Sequence, residues 1–444
     1  VAISRWDAER GRWWISARRD VGLAQIWTSE DHMIDTPTLL GYGRTPDTVL
    51  ISIPEESGDR LYEIPLAGGE PRRLSFGDVG EVGAIHHPRT GRLLGFQFTK
   101  DNEFEYVFLD EPVARAWAST VAGFPGRRVR MVSATPEFAR LIVKTEGQAD
   151  TGTYHVIDVA AGTATRLGSE YPNIPASAIA EVRFTSYTAA DGMTIPAYLT
   201  LPPGRDPRDL PLIVMPHGGP QARDEPGFDY WSQLLASRGY AVLQPQFRGS
   251  LGFGTAHLQA GYGEWGRKMQ TDLSDGVRWL ASEGVIDPAR VCIFGWSYGG
   301  YAAMAGPTID PGVYRCAAAG AGVSDLPRML AWEREQTGGR DTPTVRYWKR
   351  FMGAERINDG SLNAVSPARM AQNANVPILL IHGRDDSVVP YEQTEYFADA
   401  LRRAGKDVEV IELENEDHWL SRASGRLAVF NALVPFLEQH NPPR

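Results

Sequence analysis

One short stretch limits the folds open to this chain more than any other. An apolar run, Val291-Cys292-Ile293-Phe294, passes without a spacer into Gly295-Trp296-Ser297-Tyr298-Gly299-Gly300. An uninterrupted apolar run of this length predicts a strand buried on both faces. A glycine-flanked serine directly after it, followed by a helical pattern, predicts a sharp strand-to-helix turn. Such a turn forces an unusual backbone on the serine and brings neighbours close, which the glycines permit. It lifts the hydroxyl clear of the sheet edge and points the partly positive end of a helix at the same spot. G-x-S-x-G by itself occurs often, and an idle serine in a glycine-rich turn is the plain alternative. The flanking strand and helix make Ser297 a candidate nucleophile.

The surrounding rhythm agrees. From about Ala180, short apolar runs alternate with helical patterns. Leu210–Met215, Tyr240–Leu243, Val376–Ile381 and Val408–Ile411 read as strands, and Phe228–Ser237, Asp272–Ser282, Tyr391–Arg403 and Arg426–Glu438 as helices. Near-continuous apolar strands alternating with helices predict a doubly wound, mostly parallel sheet covered on both faces. With a serine elbow at mid-sheet, residues 176–444 read as an α/β-hydrolase domain.

Residues 1–175 follow another rule. A polar turn followed by an apolar run begins at Asp7, Pro46, Pro88 and Pro136, at intervals of 39, 42 and 48 residues. A second element follows: an aromatic residue, an alternating strand, a glycine turn and often Arg-Leu, as from Tyr62 to Leu74 and from Tyr154 to Leu167. Short strands and turns at this period predict a β-propeller of about four blades, against the alternative of an irregular β-domain.

A chain of 444 residues suits two domains. Its net charge of -10 argues against a nucleic-acid partner. No run of about 18 apolar residues is present, so no membrane span is expected. The two cysteines, Cys292 and Cys316, both lie in apolar runs and read as buried free thiols rather than a disulfide. No His/Cys/Asp cluster has ligand spacing, so neither a metal nor another cofactor is expected.

In this fold the triad runs Ser, acid, His along the chain. After Ser297 the histidines are His382, His418 and His440. His440 is in the proline-ending tail, and His382 precedes the acid loop. His418, in Glu414-Asn415-Glu416-Asp417-His418 after the Val408–Ile411 strand, is positioned to take the serine proton. The loop His382–Pro390 offers Asp385 and Asp386, with Asp386 favoured and Asp385 read as a solvated carboxylate. Asp417 is too close in sequence to aim at the ring beside it. The strand ending at Met215 leads into Pro216-His217-Gly218-Gly219-Pro220, a glycine turn suited to one oxyanion donor. The donors are assigned as the main-chain N–H groups of Gly219 and Tyr298, and His217 is read as structural.

H-G-G-P at 217–220, F-R-G-S-x-G-F-G at 247–254, G-W-S-Y-G-G at 295–300, H-G-x-x-D-x-x-V-P at 382–390 and the final E-D-H-W loop resemble the prolyl oligopeptidase family of serine peptidases. The likeness is to its acylaminoacyl-peptidase and dipeptidyl-peptidase branch and covers about residues 180–444. The resemblance implies Asp386 as the acid, short peptides as substrates with access limited by a propeller, and no cofactor. It also implies an apolar pocket for the residue before the scissile bond, lined by Tyr298, Val323, Leu326 and Val389. Three departures stand out. His217 occupies the site of a tyrosine in dipeptidyl-peptidase members. Glu55-Glu56 reads as a surface turn and not as a paired-glutamate motif for a free N-terminus. Val388 stands where the acylaminoacyl branch can carry arginine. The family's propellers have seven or eight blades, so about four blades and a first residue Val1 give the expectation of a chain lacking its N-terminal half. Exopeptidase or endopeptidase action, compartment and homo-oligomer formation stay open. The rival readings are a carboxylesterase on the same fold and a non-catalytic propeller scaffold.

Overall fold

The computed structural model describes residues 2–443 except 33, 56–57, 76–81, 101–102 and 148–149. It divides into two compact units. The first holds Val1–Ala176 with the short segments Glu225–Phe228 and Leu251–Ala256; the second holds the remainder. Those two segments come from the C-terminal part of the chain, and no sequence signal marks them.

Four small antiparallel sheets follow one another in the first unit, within residues 2–29, 38–73, 82–108 and 128–169, with three, four, three and four strands among the described residues. The repeated sequence element is the hairpin turn between the first two strands of each sheet together with its second strand. That strand is paired on both sides, so it carries the apolar residues: Trp13 and Ile15, Val49 to Ile51, Leu93 to Phe96, Leu141 and Val143 line the unit's cores. These are blade-like sheets of the β-propeller type. A helix, Glu111–Ala122, was not read from the sequence, although Pro112 in its first turn and buried Val113, Trp117 and Thr120 on one face carry the signal.

The second unit is built on one eight-stranded sheet: β1 (Glu181–Thr188), β2 (Thr194–Leu201), β3 (Leu210–Val214), β4 (Ala241–Pro245), β5 (Ile286–Trp296), β6 (Cys316–Gly320), β7 (Ile378–Gly383) and β8 (Val408–Leu413). Their order is β1-β2-β4-β3-β5-β6-β7-β8. The pairs β1–β2 and β2–β4 are antiparallel and all the others parallel. This is an α/β-hydrolase sheet; the antiparallel hairpin at its edge was not read from the sequence.

Side chains alternate between two cores. Leu212, Val214, Val291, Ile293, Ile378 and Leu380 face one side, and Ile213, Cys292, Phe294, Leu379 and Ile381 the other. The first side is covered by α2 (Lys268–Ser282), α3 (Tyr298–Ile309), α4 (Leu326–Thr337), α5 (Pro343–Met352) and α6 (Glu392–Arg403). The second is covered by α1 (Tyr230–Ser237) and α7 (Ala423–His440). No helix of the described residues is long and apolar enough to cross a membrane.

The expectation of free thiols is corrected. Cys292 and Cys316 are fully buried, as expected, but joined in a disulfide. Parallel pairing of β5 with β6 sets the two residues directly opposite, with Cα atoms 4.8 Å apart. That separation suits a bridge, and only the register of two strands distant in sequence reveals it.

The Phe247–Gly254 motif has a structural use. The Arg248 guanidinium is buried and binds Asp272 on α2 at 2.7 and 2.9 Å and Asp191, after β1, at 2.9 and 3.1 Å. Its main-chain N–H also donates to Asp272, at 3.0 Å. Removing one member of a buried pair strands the other charge. Asp272→Ala should therefore cost about 3–5 kcal/mol of unfolding free energy in a urea titration; a loss below about 1 kcal/mol would mean that Asp191 holds Arg248 alone.

Candidate active site

The serine elbow is built as the sequence suggests. β5 ends at Trp296, α3 begins at Tyr298, and Ser297 between them has φ 61°, ψ -120°. A side chain rarely adopts such a backbone, so strain is stored where the hydroxyl is displayed. The Ser297 N–H donates to Gly320 O at 2.9 Å, which anchors the turn on β6. A Cβ on Gly299 would come within 2.1 Å of Pro216 O, so the oxyanion-turn segment and the helix start meet at van der Waals distance only because that residue is glycine.

The turn after β3 lies against the serine. A Cβ on Gly218 would be 3.3 Å from Ser297 Cβ and 3.9 Å from its Oγ. Gly219, the assigned donor, has φ 118°. Tyr298 is the first residue of α3, so its N–H has no acceptor within the helix. His217 is structural in its contacts: Nδ1 lies 2.7 Å from Gly218 O, Nε2 lies 2.8 Å from Ser250 Oγ, and the ring stacks on Phe247. Burial pushes its pKa down to about 4.

The acid and base loops, after β7 and β8, meet. Asp386 Oδ2 accepts from His418 Nδ1 at 2.7 Å. The same oxygen lies 3.1 Å from His382 Nε2, and Oδ1 accepts the N–H groups of Val388 and Val389, each at 2.8 Å. Burial alone would raise the carboxyl's pKa, but the hydrogen bonds from His382 and His418 overcome it, leaving Asp386 well below the usual carboxylate range. With Nδ1 donating to a carboxylate, His418 keeps the tautomer whose Nε2 is free to accept a proton.

His382 was set aside as a base, and its role as a support was missed. Nε2 faces two acceptors, Asp386 Oδ2 and Val389 O at 3.1 Å, so it carries the proton, and Nδ1 accepts from Thr394 Oγ1 at 2.7 Å. The signal was the histidine four residues before the acid in H-G-x-x-D. Two anchors of the base loop were also missed. The Trp296 indole donates to His418 O at 2.8 Å. Glu416 O accepts from Asp385 N at 3.0 Å, and its carboxylate takes the N–H groups of Asp417 and Arg422.

The other candidates are used elsewhere. Asp385 is exposed, Asp417 binds Ser421 and the N–H of Trp419, and His440 ends α7 against Phe436. Glu55 accepts from the Tyr62 hydroxyl, while Glu56 lies outside the described residues. Tyr298, Val323, Leu326 and Val389 are all buried in the same core. No cluster of three or more metal-ligating side chains occurs among the described residues.

Residues 226–442 match the sequence profile of the prolyl oligopeptidase family. Over those residues the chain is similar to that family. Similarity within it extends to dipeptidyl aminopeptidase BIII of Pseudoxanthomonas mexicana, 31% identical over 401 residues, covering 85% of this chain and 56% of that protein. The acylamino-acid-releasing enzyme of Rattus norvegicus is 26% identical over 245 residues, 53% of this chain and 32% of its own. The chain thus spans little more than half of the first relative's length. In fold it resembles a puromycin-hydrolyzing peptidase of Mycobacterium tuberculosis, with a TM-score of 0.79 and 21% identity over 100% of this chain and 68% of that one. The acylaminoacyl peptidase of Pyrococcus horikoshii gives 0.73 and 19%, over 98% and 67%.

The two carboxylates of the acid loop should separate cleanly. Asp386→Asn is expected to lower kcat on an activated acyl ester about 10⁴-fold, because the amide favours the wrong tautomer of His418. Asp385→Asn should stay within about threefold of the parent. Equal losses in the two variants would show that the acid has been misassigned.

Proposed function

We propose that this chain is a serine peptidase of short peptides, with Ser297 as nucleophile, His418 as base and Asp386 as the acid that orients it. The observation that carries the reading is the 2.7 Å bond from His418 Nδ1 to a carboxylate already held by three other donors. That network keeps Asp386 ionised and leaves His418 Nε2 as the proton acceptor.

The reaction follows. His418 Nε2 takes the Ser297 proton as Oγ bonds to the substrate carbonyl carbon. Negative charge moves onto the carbonyl oxygen, where the N–H groups of Gly219 and Tyr298 would receive it. The tetrahedral adduct collapses, the C–N bond breaks, and His418 returns the proton to the leaving amine. Water, deprotonated by His418, then attacks the acyl-enzyme; the acyl group leaves as a carboxylic acid and Ser297 regains its proton. The names of relatives, a dipeptidyl aminopeptidase and an acylamino-acid-releasing enzyme, support peptides as the substrate class.

The test pairs a fluorophosphonate probe with matched dipeptide p-nitroanilides and p-nitrophenyl esters. Labelling and anilide cleavage, both lost in Ser297→Ala, are expected. Ester turnover without anilide turnover would replace the peptidase with an esterase. Failure to label folded protein would mean a non-catalytic domain.

A further inference from the structure

Buried carboxylates in the second unit nearly all have a visible counter-charge or cap. Asp272 has Arg248, Asp275 has Arg278, Asp325 has Arg369 and Asp386 has its histidines. Glu416 takes main-chain N–H groups at the start of α7. Glu333 differs. It is only 7% exposed, and the influences on its carboxyl are burial and the side chain of Trp348. Burial raises its pKa, and a hydrogen bond from the Trp348 side chain offsets this only in part. A carboxyl held in an apolar interior by one neutral donor is costly. Groups of this kind concentrate where a ligand completes them.

Its surroundings run back to the nucleophile. Glu333 shares the buried face of α4 with Leu326, Met329 and Leu330. The turn that starts α4 is fixed at the strand tips: Gln393 Oε1 accepts the N–H groups of Ser324 and Asp325, at 2.9 and 2.8 Å, just past the acid loop. Opposite, aromatic rings form a continuous row. Tyr298, next to Ser297, contacts Trp265 at 4.6 Å between centroids; Trp265 contacts Trp348 at 5.8 Å; Trp348 bonds Glu333. An apolar row beginning beside the nucleophile and ending at a lone carboxylate matches one kind of side chain, a long aliphatic stem with a cationic head.

We propose that Glu333 recognises the ammonium or guanidinium of a lysine or arginine whose carbonyl Ser297 attacks. Tyr298, Trp265 and Trp348 with Leu326 and Met329 cover the stem, and the carboxylate meets the charge. The assignment deepens the peptidase reading and rests on it. It turns the apolar pocket expected around Val323, Leu326 and Val389 into one with an acidic end.

The experiment compares kcat/KM for dipeptide p-nitroanilides that differ only in the residue before the anilide: Lys, Arg, Met, Phe and Glu. Lys and Arg should exceed Met by roughly 10²-fold, the scale of a desolvated charge pair. Glu333→Gln should remove most of that advantage while leaving Met within about threefold. Comparable fluorophosphonate labelling and melting temperature would show that the variant is folded. Equal or better cleavage of Met or Phe by the unaltered protein overturns the assignment, even if the variant fails to fold. A uniform loss on all substrates in Glu333→Gln also overturns it, since that is what a structural role gives. Absence of any anilide cleavage would sink the peptidase reading itself, an outcome distinct from a wrong preference.

Discussion

The Asp386 carboxylate is the point on which the rest of the site depends. Its two oxygens receive four groups: two main-chain N–H groups from its own loop, His382 from the end of β7 and His418 from the loop after β8. An acid with this many donors stays charged even though it is buried. Because the donors come from two loops, the same group that sets the imidazole tautomer also fastens the loops together. Chemistry and loop conformation share one set of bonds here, so neither changes without the other.

The serine side is organised by close approach instead of by charge. Gly218 and Gly299 let the turn after β3 and the start of α3 touch the elbow, and the Ser297 N–H reaches across to β6. Beneath the elbow, the Cys292–Cys316 bridge joins β5 to β6, the two strands that carry the turn and receive its N–H. A strained residue such as Ser297 persists only where its surroundings over-determine it, and bridge, glycine contacts and strand pairing together supply that constraint.

What could be read from the sequence follows the range of the signal. Ser297, Asp386 and His418 each follow a strand legible in the sequence; order along the chain set His382 aside, and its place in the proline-ending tail set His440 aside. The propeller-like unit was legible because its repeated turn and central strand recur at a near-constant interval. Contacts between distant segments were not legible. Opposition of Cys292 and Cys316 depends on strand register, the use of His382 on a carboxylate that faces back onto its own strand, and the β1–β2 edge on the antiparallel pairing of β2 with β4, a strand distant in sequence. Glu333 drew no reading from the sequence, since nothing local reveals that it lies on the buried face of a helix.

The hydrogen bond from Trp296 to the carbonyl of His418 carries a consequence of its own. Ser297 and His418 lie on segments far apart in the chain, yet the residue just before the serine grips the backbone of the residue proposed to deprotonate it. The variable position of the G-x-S-x-G signature is therefore coupled to the imidazole. A change at 296 would thus be felt at His418, the proposed base, although 122 residues separate the two.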